Sequence, residues 1–189
     1  MKKVILASAS PRRAELLKNI LANVEIVPSR VDESKLRAKT PEAFAVKAAT
    51  AKAKDVGRRR KNSLVIGADT IVVLGKKVLG KPKGAEDAVR TLSSLSGKTH
   101  KVITGLAVLD TKTRRLVTHH ETTKVKMKKL PLKLIKDYVA TGSPLDKAGA
   151  YGIQEIEEMF VAKIDGDFDN VVGLPVAALL KLLRELHQA

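Results

Sequence analysis

One carboxylate sits in apolar company. Residues 64–74 read LVIGADTIVVL, a nearly continuous apolar run of the kind found in strands buried on both faces. Asp69 interrupts it, beside Gly67 and Thr70. A carboxylate buried there is costly unless it is paired, hydrogen-bonded or bound to a metal. Two uses fit. One is a metal ligand or general base in a cleft; the other is a structural Asp that caps a turn or bulge with the help of Gly67. A second acidic spot, Asp32-Glu33, follows the strand-like VEIVPS and by itself says little. The chain has no Cys, so any metal held by these side chains would have oxygen ligands, which favours Mg²⁺ or Mn²⁺.

The opposite charge is just as oddly placed. In LASASPRRAELL (residues 6–17) Ser10 stands at an N-cap and Pro11 at the first helical position. A helix N-terminus is the positive end of the helix dipole and prefers acids, yet Arg12 and Arg13 follow. Free backbone N–H groups joined by two guanidinium forks suit a phosphate group. Lys52 falls on the apolar stripe Phe44, Ala45, Ala48, Ala49, where its head must either snorkel to solvent or meet an anion. Lys81, in the turn GKP, is a further candidate cation. The tempting SGKTH at 96–100 is not a phosphate loop, because the position that needs the first Gly is Leu92, inside a helix pattern. The four His are scattered, and the adjacent His119 and His120 are expected on opposite faces of a strand, which disfavours a His-based zinc site.

Positioning these groups calls for alternating strands and helices broken by two hairpins, an α/β fold with a mixed sheet. Thr40-Pro41-Glu42 opens one helix, and Gly57 is expected just past its end. Residues 64–74 turn at Leu74–Lys77 into a short partner strand, and 101–109 pair with 115–125 across Asp110–Arg114. Ala88, Val89, Leu92 and Leu95 mark a helix closed by Gly97; Pro131 starts another that ends at Gly142; GAYGIQ (149–154) and FVAKIDGDF (160–168) read as late strands; Pro175 opens the last helix. With 189 residues and no linker or repeat, one domain of two lobes is expected.

Composition narrows the partners. The net charge of +16 favours anions, although many Lys lie on solvated faces and the run Arg58–Lys61 suits a helix C-terminus. Only two Tyr, three Phe and no Trp are present, poor material for stacking single-stranded bases. Nucleic acid is therefore a possible partner but not the favoured one. No apolar stretch approaches the roughly 20 residues that span a bilayer, and the opening apolar run of about five residues is too short for a signal peptide. No membrane association and a cytoplasmic location are expected.

LASASPRRAELL, VDES, KAATAKA, GADTIVV, LGKP, GKTHKVITG, DKAGAYGIQ and NVVGLP, in this order over nearly the whole chain, resemble the Maf family of nucleoside triphosphate pyrophosphatases. The resemblance implies a fold related to the inosine-triphosphate pyrophosphatases, with two lobes around a deep cleft and often a homodimer. It implies hydrolysis between the α- and β-phosphates with a divalent cation. Ser-Pro-Arg-Arg, Gly-Ala-Asp-Thr and Tyr-Gly-Ile-Gln are similar to the branch that acts on dTTP and UTP. On that basis Asp69 is the acid-base residue and, with Glu33, the metal ligand. Arg12, Thr70 and Gln154 match specificity positions, and Ser8, Arg13, Lys52 and Lys81 match the phosphate surroundings. Asp169-Asn170, ahead of the last motif, carries no functional weight. Two rival functions stay open: a basic nucleic-acid-binding protein and a nucleotide-binding regulator without turnover.

Overall fold

The computed structural model describes residues 2–187. Seven strands form one sheet in the order β2-β1-β3-β5-β6-β7, with β4 paired to β3. These are β1 (Lys3–Leu6), β2 (Val24–Ile26), β3 (Ser63–Leu74), β4 (Lys77–Leu79), β5 (Thr99–Asp110), β6 (Leu116–Met127) and β7 (Val161–Asp165). The helices are α1 (Pro11–Lys18), α2 (Pro41–Gly57), α3 (Ala85–Leu95), α4 (Leu132–Ala140), α5 (Ile153–Phe160), α6 (Phe168–Val172) and α7 (Val176–His187). β1 runs parallel to β2 and β3, whereas β4 and β7 are antiparallel to their neighbours. The sheet is mixed and flanked by helices, as the alternation of patterns implied.

The chain divides into two compact units whose boundaries fall inside β3, β5 and β6. The first holds the chain up to Thr70, Thr104–Glu121, and the chain from Gly173 onward. Here β1 and β3 are covered on both faces. Leu6, Leu64, Ile66 and Ala68 pack with Leu17 of α1 and with Leu179, Leu182 and Leu183 of α7. Their sequence neighbours Ile5, Ala7 and Val65 pack with Ala49, Ala53 and Val56 of α2. Alternate side chains of a strand point to opposite faces, so α1 and α2 cover opposite faces of the same strands. That double cover is why 64–74 reads as a continuous apolar run. α2 lies close enough that a Cβ on Gly67 would strike Ala49 O and stand 2.9 Å from Ala53 N; only glycine fits there.

The second unit, Ile71–Ile103 with Thr122–Val172, buries Leu92, Leu95, Ile135, Ile156 and Phe160, and α3 packs on α4. Asn170 is fully buried and its Nδ2 donates to Val102 O and Thr123 Oγ1, each at 3.0 Å. The pair that carried no weight in the sequence thus contains a bracket that ties α6 to β5 and β6.

Three expectations fail. GAYGIQ is not a strand: residues 148–150 form a single tight turn and α5 starts at Ile153. The run was too short for its period to be read, whereas Ile153, Ile156 and Phe160 bury one helical face. Gly57 is the last residue of α2 rather than the residue beyond it; Arg58 is the C-cap, in ordinary right-handed geometry. His119 and His120 do not diverge: their rings stack with centroids 6.0 Å apart, both exposed to solvent.

Candidate active site

β1 ends at Leu6, level with Ile66, and β3 runs on past it. Asp69 and Thr70 therefore lie just beyond the carboxyl end of β1, with α1 on one face and α2 on the other. This is where open α/β sheets bind ligands. Consecutive side chains of β3 point opposite ways, so GADT serves both faces. Asp69 shares the α2 face with Val65 and Gly67, and Thr70 shares the α1 face.

On the α1 face, Ser10 caps the helix, accepting from Arg13 N, and Ser10 N in turn donates to Ser8 Oγ at 3.2 Å. The Arg13 guanidinium is engaged by the protein itself. Its Nε donates to Gly173 O at 2.8 Å, one terminal nitrogen to Ser8 Oγ at 3.2 Å, and the other to Thr70 Oγ1 at 2.8 Å. Thr70 Oγ1 lies 2.9 Å from Thr104 Oγ1. Burial pulls the Arg13 pKa below its usual value; Asp69 and Glu33 oppose that shift and Arg12 adds to it. A guanidinium carries five N–H groups, and three such bonds leave donors for a further acceptor. Arg12 is half-exposed beside it in the first turn.

On the α2 face the buried Lys52 neither snorkels nor stands alone. Its Nζ lies 2.7 Å from Asp69 Oδ1 and 2.6 Å from Glu33 Oε1. Lys52 is the residue before Ala53, whose backbone is pressed on Gly67, and two residues further along the strand brings Asp69 to it. Glu33 opens a short 3₁₀ turn that Asp32 caps by accepting from Ser34 N at 3.1 Å. Of the Asp32-Glu33 pair, one carboxylate therefore builds the turn and the other reaches the cluster. Asp69 is 5% exposed, and its second oxygen, Oδ2, is buried with no hydrogen-bond partner. Burial pushes the Asp69 pKa above the usual carboxylate value; Lys52 and Arg13 act against the shift and Glu33 adds to it.

The remaining candidates belong to the second unit. Lys81 is exposed after β4, and Gln154 is exposed in the first turn of α5. Gly149 N donates to Gly80 O at 3.1 Å, so the loop of Lys81 is tied to the segment leading to Gln154. Around that segment stand Tyr138, Lys147, Tyr151 and Glu155, which residue types alone did not single out. The sequence signal available was the pair of glycines flanking Ala150-Tyr151, which marks a backbone under constraint.

No cluster of three His, Cys, Asp or Glu side chains able to hold a metal occurs among the described residues. The donor set nevertheless suits a hard cation bound jointly with a phosphate: the Glu33 and Asp69 carboxylates are gathered by the Lys52 ammonium, each through one oxygen, and the buried Oδ2 of Asp69 lacks a partner.

In overall fold the chain resembles a HAM1 protein of Coxiella burnetii, with a TM-score of 0.53 at 17% identity over 100% of both chains. The sequence matches the Maf-like protein family over residues 3–186, and the chain belongs to that family. A protein of Clostridium botulinum (strain Loch Maree / Type A3) is 47% identical over 98% of both chains. One of Acetivibrio thermocellus is 49% identical over 98% of this chain and 96% of its own. One of Pyrococcus furiosus is 44% identical over 100% and 97%. All three are named dTTP/UTP pyrophosphatase.

Proposed function

We propose that the protein is a nucleoside triphosphate pyrophosphatase that hydrolyses dTTP and UTP to the monophosphate and pyrophosphate. The observation that carries this reading is the Asp69 carboxylate: buried, held through one oxygen by Lys52, and unpartnered at the other. A capped helix N-terminus bearing Arg12 and Arg13 stands in the same unit. The names of the relatives supply the substrate class.

In the mechanism we favour, Asp69 Oδ2 takes a proton from the water that attacks the α-phosphorus. A carboxylate whose pKa is raised by burial is a better base near neutrality than an ordinary one. Lys52 holds Asp69 in its reactive orientation and, with Arg13, Ser8 and the N–H groups of α1, balances negative charge on the phosphates. Glu33 and Asp69 would hold a divalent cation, which when bound neutralises the polyphosphate. Lys81 is assigned to the phosphates; Arg12, Thr70 and Gln154 are assigned to substrate selection. A Gln amide offers both a donor and an acceptor, as the O4/N3 edge of a pyrimidine dione requires. A homodimer and a cytoplasmic location belong to the same proposal.

A panel of nucleoside triphosphates with Mg²⁺ or Mn²⁺, read as released pyrophosphate, tests it. dTTP and UTP should lead ATP, GTP and CTP. A best rate on GTP overturns the substrate assignment. Nucleotide binding without release of pyrophosphate favours the regulator, and salt-sensitive DNA binding that survives loss of Asp69 favours the nucleic-acid reading.

A further inference from the structure

Gln154 sits at the second position of α5, and nothing in its own side chain holds it in place: it is exposed. Its two flanks are held by one hydroxyl. Gly152 N, two residues before it, donates to Tyr138 OH at 3.1 Å, and Tyr138 OH donates to Glu155 Oε2, one residue after it, at 2.8 Å. We infer that the hydrogen-bond knot of Tyr138, Ser143, Lys147 and Glu155 positions Gln154 and thereby sets the base preference of the enzyme. This inference rests on the base-reading role proposed for Gln154.

Further bonds tie the knot together. Ser143 Oγ donates to the same Glu155 oxygen at 2.5 Å. The buried Lys147 ammonium stands 3.4 Å from Glu155 Oε1 and donates to Asp146 Oδ1 at 2.9 Å and to Ser143 O and Oγ at 2.5 and 2.9 Å. A Cβ on Gly152 would lie 2.8 Å from Lys147 Cε and 3.1 Å from the Glu155 carboxyl carbon, so backbone and knot are in direct contact.

The segment it restrains is one that would not hold its shape alone. Gly149 and Ala150 are consecutive residues in the left-handed region, at φ +72° and +61°, which for Ala is unfavourable and persists only where the surroundings impose it. A Cβ on Gly149 would stand 2.9 Å from Val72 Cγ2, so the chain is pressed on β3. Tyr151 OH meets His100 Nε2 at 2.7 Å, its ring set edge-on at 5.5 Å. Gly152, the N-cap of α5, has no side chain to cap the helix start; the Tyr138 hydroxyl instead holds the N-cap residue itself, accepting from its backbone N–H. The Tyr138 ring packs edge-on against Phe160 at 5.3 Å, a contact that Phe would keep. The hydroxyl is therefore separable from the packing.

The test compares Tyr138→Phe with Gln154→Ala, each assayed on dTTP and dCTP and melted in parallel. Gln154→Ala should lose discrimination between the two bases. Tyr138→Phe should melt cooperatively, raise KM for dTTP roughly tenfold with kcat little changed, and lower the dTTP preference; this is less than the ~10²-fold that a 1 Å misplacement can cost. In the double variant the loss of preference should not exceed that of Gln154→Ala, because both changes act through one side chain. If Gln154→Ala loses discrimination while Tyr138→Phe keeps it, the knot is structural only and the inference is wrong, whatever the melting point does. If Gln154→Ala itself keeps discrimination, the base-reading assignment fails first. Should Tyr138→Phe not fold, Glu155→Gln, which loses the Lys147 pair but keeps the side-chain shape, is read by the same criteria.

Discussion

Lys52 and Lys147 are two buried ammonium groups, each set between two carboxylates, and they do opposite things. Around Lys147 both oxygens of Glu155 have partners. Glu155 takes Lys147 on one oxygen and the hydroxyls of Tyr138 and Ser143 on the other. Partial burial pushes the Glu155 pKa up, but the hydrogen bonds from Ser143 and Tyr138 and the charge of Lys147 outweigh it, and the carboxyl ends below its ordinary value. Around Lys52 the accounting stays open. Asp69 gives one oxygen to the ammonium and keeps the other buried and unpartnered, and its pKa ends above the ordinary value. A carboxylate with both oxygens partnered is part of the scaffold, whereas a buried one with an unused lone pair in a low-dielectric site is poised for a proton or a cation.

The strongest way to break that contrast is Asp69→Asn. The amide keeps the shape and can still accept from Lys52, but it is no base. Turnover should fall by about 10²- to 10⁴-fold with a melting point equal to or above that of the parent. An active but destabilised variant would return Asp69 to the structural reading.

Arg13→Ala comes next. A helix start does not need an Arg, so on local grounds alone this change would harm substrate use and spare the fold. The three bonds to Gly173, Ser8 and Thr70 alter that expectation. The variant should lose both catalytic efficiency and roughly 2 kcal/mol of stability, at about 1 kcal/mol or less for each bond; urea denaturation beside steady-state kinetics separates the two losses.

Lys147→Met removes a buried partner but leaves Glu155 with two hydroxyl donors and some solvent. It should cost about 1–2 kcal/mol, below the 3–5 kcal/mol of breaking a fully buried pair, and calorimetry measures it.

The smallest effect is the most discriminating, because its sign differs between the two clusters. Asp69 has a raised folded pKa, so its ionised form disfavours the fold at neutral pH. Asp69→Asn should be at least as stable as the parent at pH 7, and the difference should vanish as pH falls through that raised value. Glu155 has a depressed folded pKa, so it stabilises above its unfolded value of 4.5, and that share is lost as pH falls through the folded pKa. Glu155→Gln should be less stable at pH 7 and converge with the parent in acid. Variant and parent must be compared at one pH. Burial lowers the His100 pKa to about 4, so its own contribution, whole above 6.5, fades as pH falls toward 4 in every variant. Equal signs for the two carboxylates would remove the contrast.

Much of this was written in short stretches of chain. Ser10-Pro11 set the start of α1, Thr40-Pro41 set that of α2, and the apolar run at 64–74 declared a strand covered on both faces. Each depends on interactions within a few residues or on simple burial, and both leave a periodic or capping signature. Lys52 was conspicuous for the same reason, a charge on an apolar stripe. The region from 142 to 160 was not legible. Its turn and its eight-residue helix are too short to show a period, and its order comes from side chains that meet across loops. Asn170 was given no weight because a buried amide bridging two strands looks, in sequence, like any loop Asn.

The sequence by itself therefore determined which groups were chemically out of place: Asp69 within an apolar strand, two Arg at the positive end of a helix, Lys52 on a buried stripe. Only the tertiary structure decided what each one meets. Asp69 and Lys52 are 17 residues apart and Arg13 and Gly173 are 160 apart, and no local propensity encodes such pairings. They follow from β1 lying between β2 and β3, with α1 and α2 on opposite faces. Successive residues of one strand, Asp69 and Thr70, are thereby delivered to different neighbours. The alternation of side chains along β3 is a local property of the backbone; which helix waits on each face is a property of the whole fold.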